Sequence, residues 1–261
     1  MFSTNYVPGA PAWLDLAVPD VGAAATFYKE VFDWESHETG PEGGGYRAFT
    51  IEGKTVAAIG PLNEPRAIPA WTLYFYTSDA DATAKAVEQA GGTVCRPPFA
   101  FFNEGRIASF TDPAGAQFAV WQPADAEGMG AVAAPNTLCW CELYTPDSAA
   151  AKAFYQSVFG WTTEDVPLSG FTYTVVRPSG GEYGTEQGGI LELTEGMVDA
   201  GIRTHWLPYF EVADCDTTAA DAAGLGALVS LPPEEIEGIG RLVQLTDPFG
   251  APLSLIASEA Y

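Results

Sequence analysis

The chain has few basic residues. It carries 11 Lys and Arg against 34 Asp and Glu, so that its formal net charge at pH 7 is −23. Binding to nucleic acid or to an anionic membrane surface needs a basic patch, and this composition excludes both as expected partners. Because the acidic residues are spread along the chain, we interpret them as a solubility feature.

Long apolar runs, histidine and closely spaced cysteines are scarce as well. No apolar run reaches transmembrane length and no signal-peptide pattern opens the chain, so we expect a cytoplasmic protein. With only two histidines, His37 and His205, a histidine-rich metal site cannot be built. Four cysteines lie outside any CxxC or zinc spacing, which predicts reduced thiols; they are Cys95, Cys139, Cys141 and Cys215.

The chain does contain one short phrase four times, each time after a strand-like run and before a helix-like stretch. An Asp that ends such a phrase is placed to accept the free N–H groups at the start of the helix. A repeat of this kind predicts the architecture before any residue is given a role. The copies are Val18-Pro19-Asp20, Thr77-Ser78-Asp79, Thr145-Pro146-Asp147 and Val212-Ala213-Asp214.

The repeat is nested, because longer motifs recur once. Phe27-Tyr28 recurs as Phe154-Tyr155, 127 positions later, and Asp112-Pro113 recurs as Asp247-Pro248, 135 positions later. The difference of eight predicts an insertion in the second half, around Gly180 to Gly189. We therefore predict two homologous modules, 9–123 and 135–257, joined by a linker of small residues at 124–134.

Hydrophobic periodicity indicates the order of elements in each unit: a strand, a helix and about three strands. Four such βαβββ units predict an α+β fold. In the first module the predicted strands are 13–18, 46–51, 55–59, 71–77, 106–111 and 117–121, and the predicted helices are 22–32 and 80–90.

Four βαβββ units in two pairs resemble the vicinal oxygen chelate superfamily, which includes glyoxalase I, bleomycin-resistance proteins and extradiol dioxygenases. The (Val/Thr)-x-Asp-helix-Phe-Tyr stretches, Val18 to Tyr28 and Thr145 to Tyr155, carry the resemblance with the two Asp-Pro-x-Gly motifs. It is similar in particular to two-module members of antibiotic-producing and mycobacterial bacteria, some of which belong to aromatic polyketide pathways. The resemblance implies curled mixed sheets, each around a ligand cavity.

Metal-dependent members of that superfamily place ligands at three positions in each module, and this chain departs from them. A divalent metal needs several N, O or S donors that converge on one point. None of the matching residues is His, Glu, Gln or Asp, so we predict no metal and no cofactor. The matching residues are Trp13, Trp140, Thr72, Leu207, Ala119 and Ser254.

Three ionisable side chains lie two positions from these slots and are expected on the same strand faces. Asp15 and Glu142 follow the two Trp slots, and His205 precedes Leu207. In an apolar cavity such groups act as a general base or accept a hydrogen bond from a ligand. They are our candidate catalytic residues. Hydrogen bonding to nearby backbone or Trp N–H groups is the structural alternative, and it stays open.

Aromatic residues are abundant, with seven Trp, eleven Tyr and fifteen Phe. On strands they are expected to line the cavities, although ordinary core packing explains part of them. The run Phe99 to Phe102 has no aromatic counterpart in the second module and is interpreted as an apolar loop: a lid, a dimer contact or a tucked segment. The predicted ligand-binding residues are Trp13, Thr72, Tyr74, Phe101, Trp121, Trp140, Leu207, Tyr209 and Ser254.

These features favour a metal-independent protein that binds a planar, mostly apolar small molecule, as a tailoring enzyme of secondary metabolism or an accessory to an oxygenase. Antibiotic sequestration without turnover is the first alternative, and a metal-dependent lyase or dioxygenase is the second. A homodimer and a complex with a partner oxygenase both remain open, because fold does not imply function.

Overall fold

The computed structural model describes residues 2–40, 43–62, 67–168 and 170–259. Within them the chain forms sixteen strands and five helices in four successive βαβββ units. The predicted α+β class and the tandem arrangement are therefore confirmed. None of the helices in these residues is long and apolar enough to cross a membrane.

The first two units contain eight strands and two helices. Most predicted elements are present, and the structure adds β2 and β6, which the hydrophobic pattern did not indicate. The elements are β1 (Pro11–Val18), α1 (Val21–Phe32), β2 (Glu35–Glu38), β3 (Arg47–Ile51), β4 (Lys54–Pro61), β5 (Ala70–Tyr76), α2 (Ala80–Gln89), β6 (Thr93–Phe101), β7 (Gly105–Thr111) and β8 (Gln117–Pro123).

The last two units repeat this order, with one additional short helix. The elements are β9 (Leu138–Thr145), α3 (Ser148–Phe159), β10 (Thr162–Leu168), β11 (Phe171–Arg177), β12 (Gly188–Glu192), α4 (Glu195–Asp199), β13 (His205–Glu211), α5 (Cys215–Gly224), β14 (Leu228–Ile236), β15 (Gly240–Thr246) and β16 (Pro252–Ser258).

The strands form two mixed sheets of eight strands each. The first has the order β2-β3-β4-β1-β5-β8-β7-β6, and the second has the order β10-β11-β12-β9-β13-β16-β15-β14. In both sheets the first strand of a unit pairs in parallel with the last strand of the same unit. The three strands that follow each unit's first helix pair in order as antiparallel hairpins. Both sheets stay open, because different strands lie at their two edges.

The repeated aspartate starts each long helix, as the sequence predicts. The side chains of Asp20, Asp79, Asp147 and Asp214 each accept the backbone N–H three residues ahead, at 2.8 to 3.0 Å. A cap of this kind pairs a donor that has no partner inside the helix and stabilises it by about 1 kcal/mol.

Backbone contacts divide the chain into two compact units that differ from the sequence modules. Unit one contains Met1–Trp13, Leu73–Gly128 and Trp140–Leu207, and unit two contains Leu14–Thr72, Met129–Cys139 and Pro208–Tyr261. Each unit therefore combines half of one module with half of the other. In unit one α2 packs beside α3, and in unit two α1 packs beside α5.

A buried tyrosine–aspartate hydrogen bond ties the two halves of unit one together. The Tyr155 hydroxyl on α3 donates to Asp112 Oδ2 at 3.1 Å and accepts from Trp206 Nε1 at 2.9 Å. The other carboxylate oxygen of Asp112 accepts three backbone N–H groups of its own turn, at 2.8 to 3.0 Å. The aspartate of the Asp-Pro-x-Gly motif thus stabilises its own turn with one oxygen and binds the neighbouring helix α3 with the other.

Unit two contains the same bond. The Tyr28 hydroxyl on α1 donates to Asp247 Oδ2 at 2.8 Å, while Asp247 Oδ1 accepts backbone N–H groups within its turn. Burial raises the pKa of Asp247, and the hydrogen bonds from Ala251 and Tyr28 oppose that effect. Burial also raises the pKa of Tyr28 well above its ordinary value, so the hydroxyl keeps its proton and remains a donor.

Aromatic rings pack around each of these bonds. In unit one Trp161 is 2% exposed and donates to the Gly9 carbonyl at 2.9 Å, and in unit two Trp34 is fully buried and donates to the Asn136 carbonyl at 2.8 Å. Gly9 has a φ of +79°, and a Cβ there would collide with the Trp161 ring. Both Trp residues belong to the core.

Trp71 and Trp206 pack edge-on against Tyr28 and Tyr155 on the helical side of their sheets. One sequence interpretation is wrong. The run 99–102 is not a loop, because all but its last residue lie in β6, which pairs with β7. β6 is an edge strand whose residues are all exposed or half-buried, so no buried apolar face marks it in the sequence.

We expect Tyr155→Phe to lower the free energy of unfolding by about 1–3 kcal/mol, because it removes the hydroxyl that donates to Asp112 Oδ2 and accepts from the Trp206 indole N–H. Urea unfolding followed by Trp fluorescence measures the change. Tyr183→Phe is the matched control, since that side chain is 93% exposed. Equal stability of both variants would contradict the role given to the bond.

Candidate functional site

A cluster of polar and aromatic side chains lies on one face of neighbouring strands within unit one. Side chains alternate along a strand, so Trp140, Glu142 and Tyr144 share one face of β9. Tyr173 of β11 and His205 at the start of β13 contact them. We call these five residues the Glu142 cluster.

Two hydrogen bonds in series orient the carboxylate of the cluster. Trp140 Nε1 donates to Tyr173 Oη at 2.9 Å, and Tyr173 Oη donates to Glu142 Oε1 at 2.7 Å. An indole N–H only donates, so the single hydroxyl proton of Tyr173 goes to the carboxylate. Glu142 is 6% exposed, and this arrangement presents it as an oriented hydrogen-bond acceptor.

The Tyr173 hydroxyl keeps its proton. Burial raises the pKa of Tyr173 well above its ordinary value, and the nearby charge of Glu142 raises it further. Tyr173 is therefore a donor and not a base. Sequence reasoning missed it, although a signal existed: Tyr46 lies 127 positions earlier, and each tyrosine follows its module's acidic residue by 31 positions.

A glycine makes room for the Tyr173 ring. Gly189 of β12 stands opposite Glu142 in the strand register. A Cβ at this position would collide with the Tyr173 hydroxyl. Any larger residue would therefore displace the hydroxyl from Glu142.

His205 is the second ionisable group of the cluster. Its ring stacks on Tyr144 with 4.8 Å between the centroids and 11° between the planes. Its Nδ1 lies 2.7 Å from the Arg203 carbonyl oxygen. Burial lowers the pKa of His205, while the Arg203 hydrogen bond and the Glu142 charge partly oppose the effect.

The first module contains part of the same arrangement. In unit two, Tyr46 Oη donates to Asp15 Oδ2 at 3.0 Å. The duplicated tyrosine–carboxylate pair is therefore a property of the repeat. The structure does not repeat the rest, because Ala17 and Ala70 stand where the second module has Tyr144 and His205.

Three further predicted residues form an aromatic group in unit one. Trp13 stacks on Trp121 with 5.7 Å between centroids, and Phe101 meets the edge of Trp121 at 6.2 Å. Trp121 is 1% exposed and donates through Nε1 to the Ala126 carbonyl at 3.2 Å. These rings pack on one another, so their use as a ligand wall remains a prediction.

The other predicted residues lie on β5, β13 and β16. Thr72 and Tyr74 are half-buried, whereas Leu207 and Tyr209 are 2% and 6% exposed. Ser254 of β16 pairs with Tyr209 in the register of unit two and is fully buried. Its hydroxyl has no hydrogen-bond partner within the described residues.

The donor set does not fit a metal of the kind that related enzymes use. The slot positions hold two indoles, a leucine, an alanine and two hydroxyl side chains, and Asp15 and Glu142 already accept tyrosine protons. Across residues 2–40, 43–62, 67–168 and 170–259, no group of three or more His, Cys, Asp or Glu side chains is arranged to hold a metal ion.

Two surface pockets in unit one lie apart from the predicted site residues. One, of about 460 Å³, is lined by the segments 2–11 and 178–187, the second of which contains most of the predicted insertion. The other, of about 440 Å³, is lined by polar residues of α3, β10 and β11 and by residues 192–194.

Comparison with known proteins agrees with this fold. The model of the Glyoxalase/Bleomycin resistance protein/Dioxygenase superfamily matches residues 10–120 and 137–255. The chain is 40% identical over 275 residues to "Anthracycline biosynthesis protein DauV" of Streptomyces sp. (strain C5), covering 99% of this chain and 97% of that protein. It is 36% identical over 259 residues to "Putative glyoxylase CFP32" of Mycobacterium tuberculosis (strain CDC 1551 / Oshkosh), covering 97% and 96%.

The fold is also that of solved structures with little sequence identity. The Mn(II)-bound glyoxalase from Novosphingobium aromaticivorans matches with a TM-score of 0.63 at 17% identity, over 96% of this chain and 83% of that one. This likeness shows the fold alone. Because the family model covers most of both modules and a relative at 40% identity spans nearly the whole chain, the chain belongs to the glyoxalase/bleomycin resistance/dioxygenase (vicinal oxygen chelate) superfamily.

Proposed function

We propose that this protein binds a planar, mostly apolar small molecule at the Glu142 cluster, in the tailoring of a secondary metabolite of the aromatic polyketide type. The observation that carries the proposal is the set of aromatic rings around one carboxylate and one imidazole, of which Trp140 and Tyr173 are half-buried and Tyr144 is buried. The name of the 40% identical relative, an anthracycline biosynthesis protein, supports this class of ligand.

The cluster offers a planar ligand two kinds of interaction. Trp140 and His205 are half-buried and present ring surface, and each well-placed aromatic pair contributes about 0.5–1.5 kcal/mol beyond its buried area. The Glu142 carboxylate accepts hydrogen bonds, and one to a charged group contributes about 1.5–3 kcal/mol. A flat aromatic molecule with a hydroxyl group at its edge satisfies both.

The proposed binding is independent of a metal. In the second module the slot positions hold Trp140, Leu207 and Ser254, and the nearby carboxylate is engaged by Tyr173. Divalent metals require several converging donors, which this set does not provide. A metal-dependent lyase or dioxygenase is the alternative that elemental analysis addresses.

Sequestration without turnover is a second candidate function. It is favoured by the hydrogen bond from Tyr173 to Glu142, because a carboxylate held as an acceptor binds a ligand hydroxyl without needing to take its proton. Incubation of candidate aromatic ligands with the protein, followed by mass spectrometry of the recovered ligand, separates the two functions. Unchanged ligand favours sequestration, and altered ligand favours tailoring.

We place the protein in the cytoplasm, where its four free cysteines remain reduced. It acts there as a single chain, as a homodimer or beside a partner oxygenase. Light scattering with and without a bound aromatic ligand distinguishes the first two arrangements, and co-purification with an oxygenase of the same pathway tests the third.

We expect Trp140→Phe to weaken binding of 1,4-dihydroxyanthraquinone about tenfold, a loss of about 1.4 kcal/mol, because it removes ring surface and the hydrogen bond to Tyr173. Isothermal titration calorimetry measures the affinity. Trp13→Phe, at the matched position of the first module, should change it less than about twofold. If Trp13→Phe weakened binding and Trp140→Phe did not, the binding site would lie in the first module.

We expect Glu142→Gln to weaken the same ligand about tenfold or more, because an amide is a poorer acceptor than a carboxylate. Asp15→Asn is the matched control in the first module and should leave the affinity unchanged. Calorimetry with a planar ligand that has no hydroxyl group should show no difference between wild type and Glu142→Gln. A loss for both ligands would mean that Glu142 supports the structure of the site and not the ligand.

Protein purified without chelator should contain far less than one Fe, Ni, Zn or Mn per chain. Inductively coupled plasma mass spectrometry measures the content, and added EDTA should leave both the melting temperature and the ligand affinity unchanged. Stoichiometric metal together with a lower melting temperature in EDTA would contradict metal independence.

A further inference from the structure

We propose that Nε2 of His205 is a general base that removes a proton from the carbon beside a carbonyl group of a planar aromatic ketone. This inference rests on the proposed function, because it assigns chemistry to the same cluster. It adds the proton-accepting atom, the tautomer that makes this atom a base and the class of ligand on which it acts.

The hydrogen bond of Nδ1 determines the tautomer. Nδ1 lies 2.7 Å from the carbonyl oxygen of Arg203, and a carbonyl oxygen cannot donate a proton. The proton of a neutral imidazole therefore resides on Nδ1, and the lone pair resides on Nε2. Within the described residues, the hydrogen bond of the His205 ring is made by Nδ1.

Two contacts hold the His205 ring in place, and neither is a hydrogen bond to Nε2. Tyr144 covers one face of the imidazole at 4.8 Å and nearly parallel, and the Arg203 carbonyl fixes its rotation. The side chain is half-buried. A base must be oriented before it reacts, and these two contacts provide the orientation.

The charged and titratable neighbours favour a base that is neutral at rest. Burial lowers the pKa of His205, which favours the neutral ring, while the Glu142 carboxylate stabilises the imidazolium once it forms. Tyr144 of β9 lies against the ring. Tyr173 of β11 cannot compete as a base, because it keeps its own proton on the hydrogen bond to Glu142.

The duplicated scaffold supports a specialised role for the pair. The first module folds in the same order with Ala70 in place of His205 and Ala17 in place of Tyr144. Neither side chain is therefore required by the repeat. The tyrosine–carboxylate pair, by contrast, occurs in both modules and belongs to the shared scaffold.

The step is balanced without an added oxidant or reductant. Nε2 takes a proton from the α-carbon, the C–H electron pair forms the enolate double bond, and the carbonyl π pair moves to oxygen. The imidazolium then returns a proton to the same carbon or to another atom of the conjugated system. The first outcome is hydrogen exchange with solvent and the second is tautomerisation. An aromatic ring beside the α-carbon stabilises the enolate by conjugation.

The pH dependence follows from the direction of the pKa shift. Base activity requires neutral His205, so the exchange rate should rise through the pKa of this residue and level off above it. The folded pKa lies below the ordinary value of 6.5. The contribution of His205 to stability is therefore complete above about pH 6.5 and is lost as the pH falls through the folded pKa.

The test uses 2-tetralone, whose benzylic protons exchange through a conjugated enolate, followed by proton NMR in D₂O. We expect the wild-type protein to exceed the buffer rate about tenfold or more and His205→Asn to lose this excess. The asparagine amide can still donate to the Arg203 carbonyl, so the fold of the site is kept. His37→Asn is the matched control, because it removes the chain's other histidine from an exposed strand.

Binding of 2-tetralone is measured by calorimetry on the same proteins. Binding without an exchange difference between wild type and His205→Asn overturns the base and leaves the proposed function intact. Absence of binding overturns both the general base and the proposed function for this ligand class. Independently, ¹⁵N NMR of the two histidines should show the Nδ1–H tautomer for His205 at pH 7. An Nε2–H tautomer or an imidazolium at that pH would overturn the inference by itself.

Discussion

The buried hydrogen bond between a helix tyrosine and the aspartate of an Asp-Pro-x-Gly turn is the interaction on which the architecture depends. It occurs once in each compact unit, as Tyr155 with Asp112 and as Tyr28 with Asp247. In both cases the tyrosine and the aspartate belong to different sequence modules. A buried carboxylate is costly without partners. The turn itself supplies backbone N–H groups to one oxygen of each aspartate, and a helix of the other module supplies the hydroxyl that donates to the second oxygen. The compact units therefore combine halves of both modules.

Duplication explains what is shared and what is specialised. Both modules keep the capped helices, the aromatic core around the buried tyrosine and the tyrosine–carboxylate pairs at Asp15 and Glu142. The two modules differ at two positions that the shared fold does not require to be aromatic or ionisable. The second module has Tyr144 and His205 where the first has Ala17 and Ala70. Divergence of this kind concentrates ionisable and aromatic groups on one face in unit one, which is why we assign the site there.

Sequence patterns predicted the fold well and the site partially. The repeat indicated the four units, and the helix caps follow directly from the spacing of Asp20 and its three copies. The edge strands β2 and β6 were missed, because neither contains a buried residue and so neither shows an alternating apolar face. Glu142 and His205 were identified as candidates on one strand face each, but Tyr173 was not, because its role depends on a cross-strand contact that no local pattern records.

The sequence by itself determined the family, the order of elements and the scarcity of metal-binding side chains, because these depend on residue identity and on periods of two, 3.6 and 127 positions. The tertiary structure decided which residues meet. Hydrogen-bond direction and ring stacking require atoms from β9, β11 and β13 to approach within a few ångströms. Only the folded chain places the Arg203 carbonyl on Nδ1 of His205 and so leaves the lone pair on Nε2.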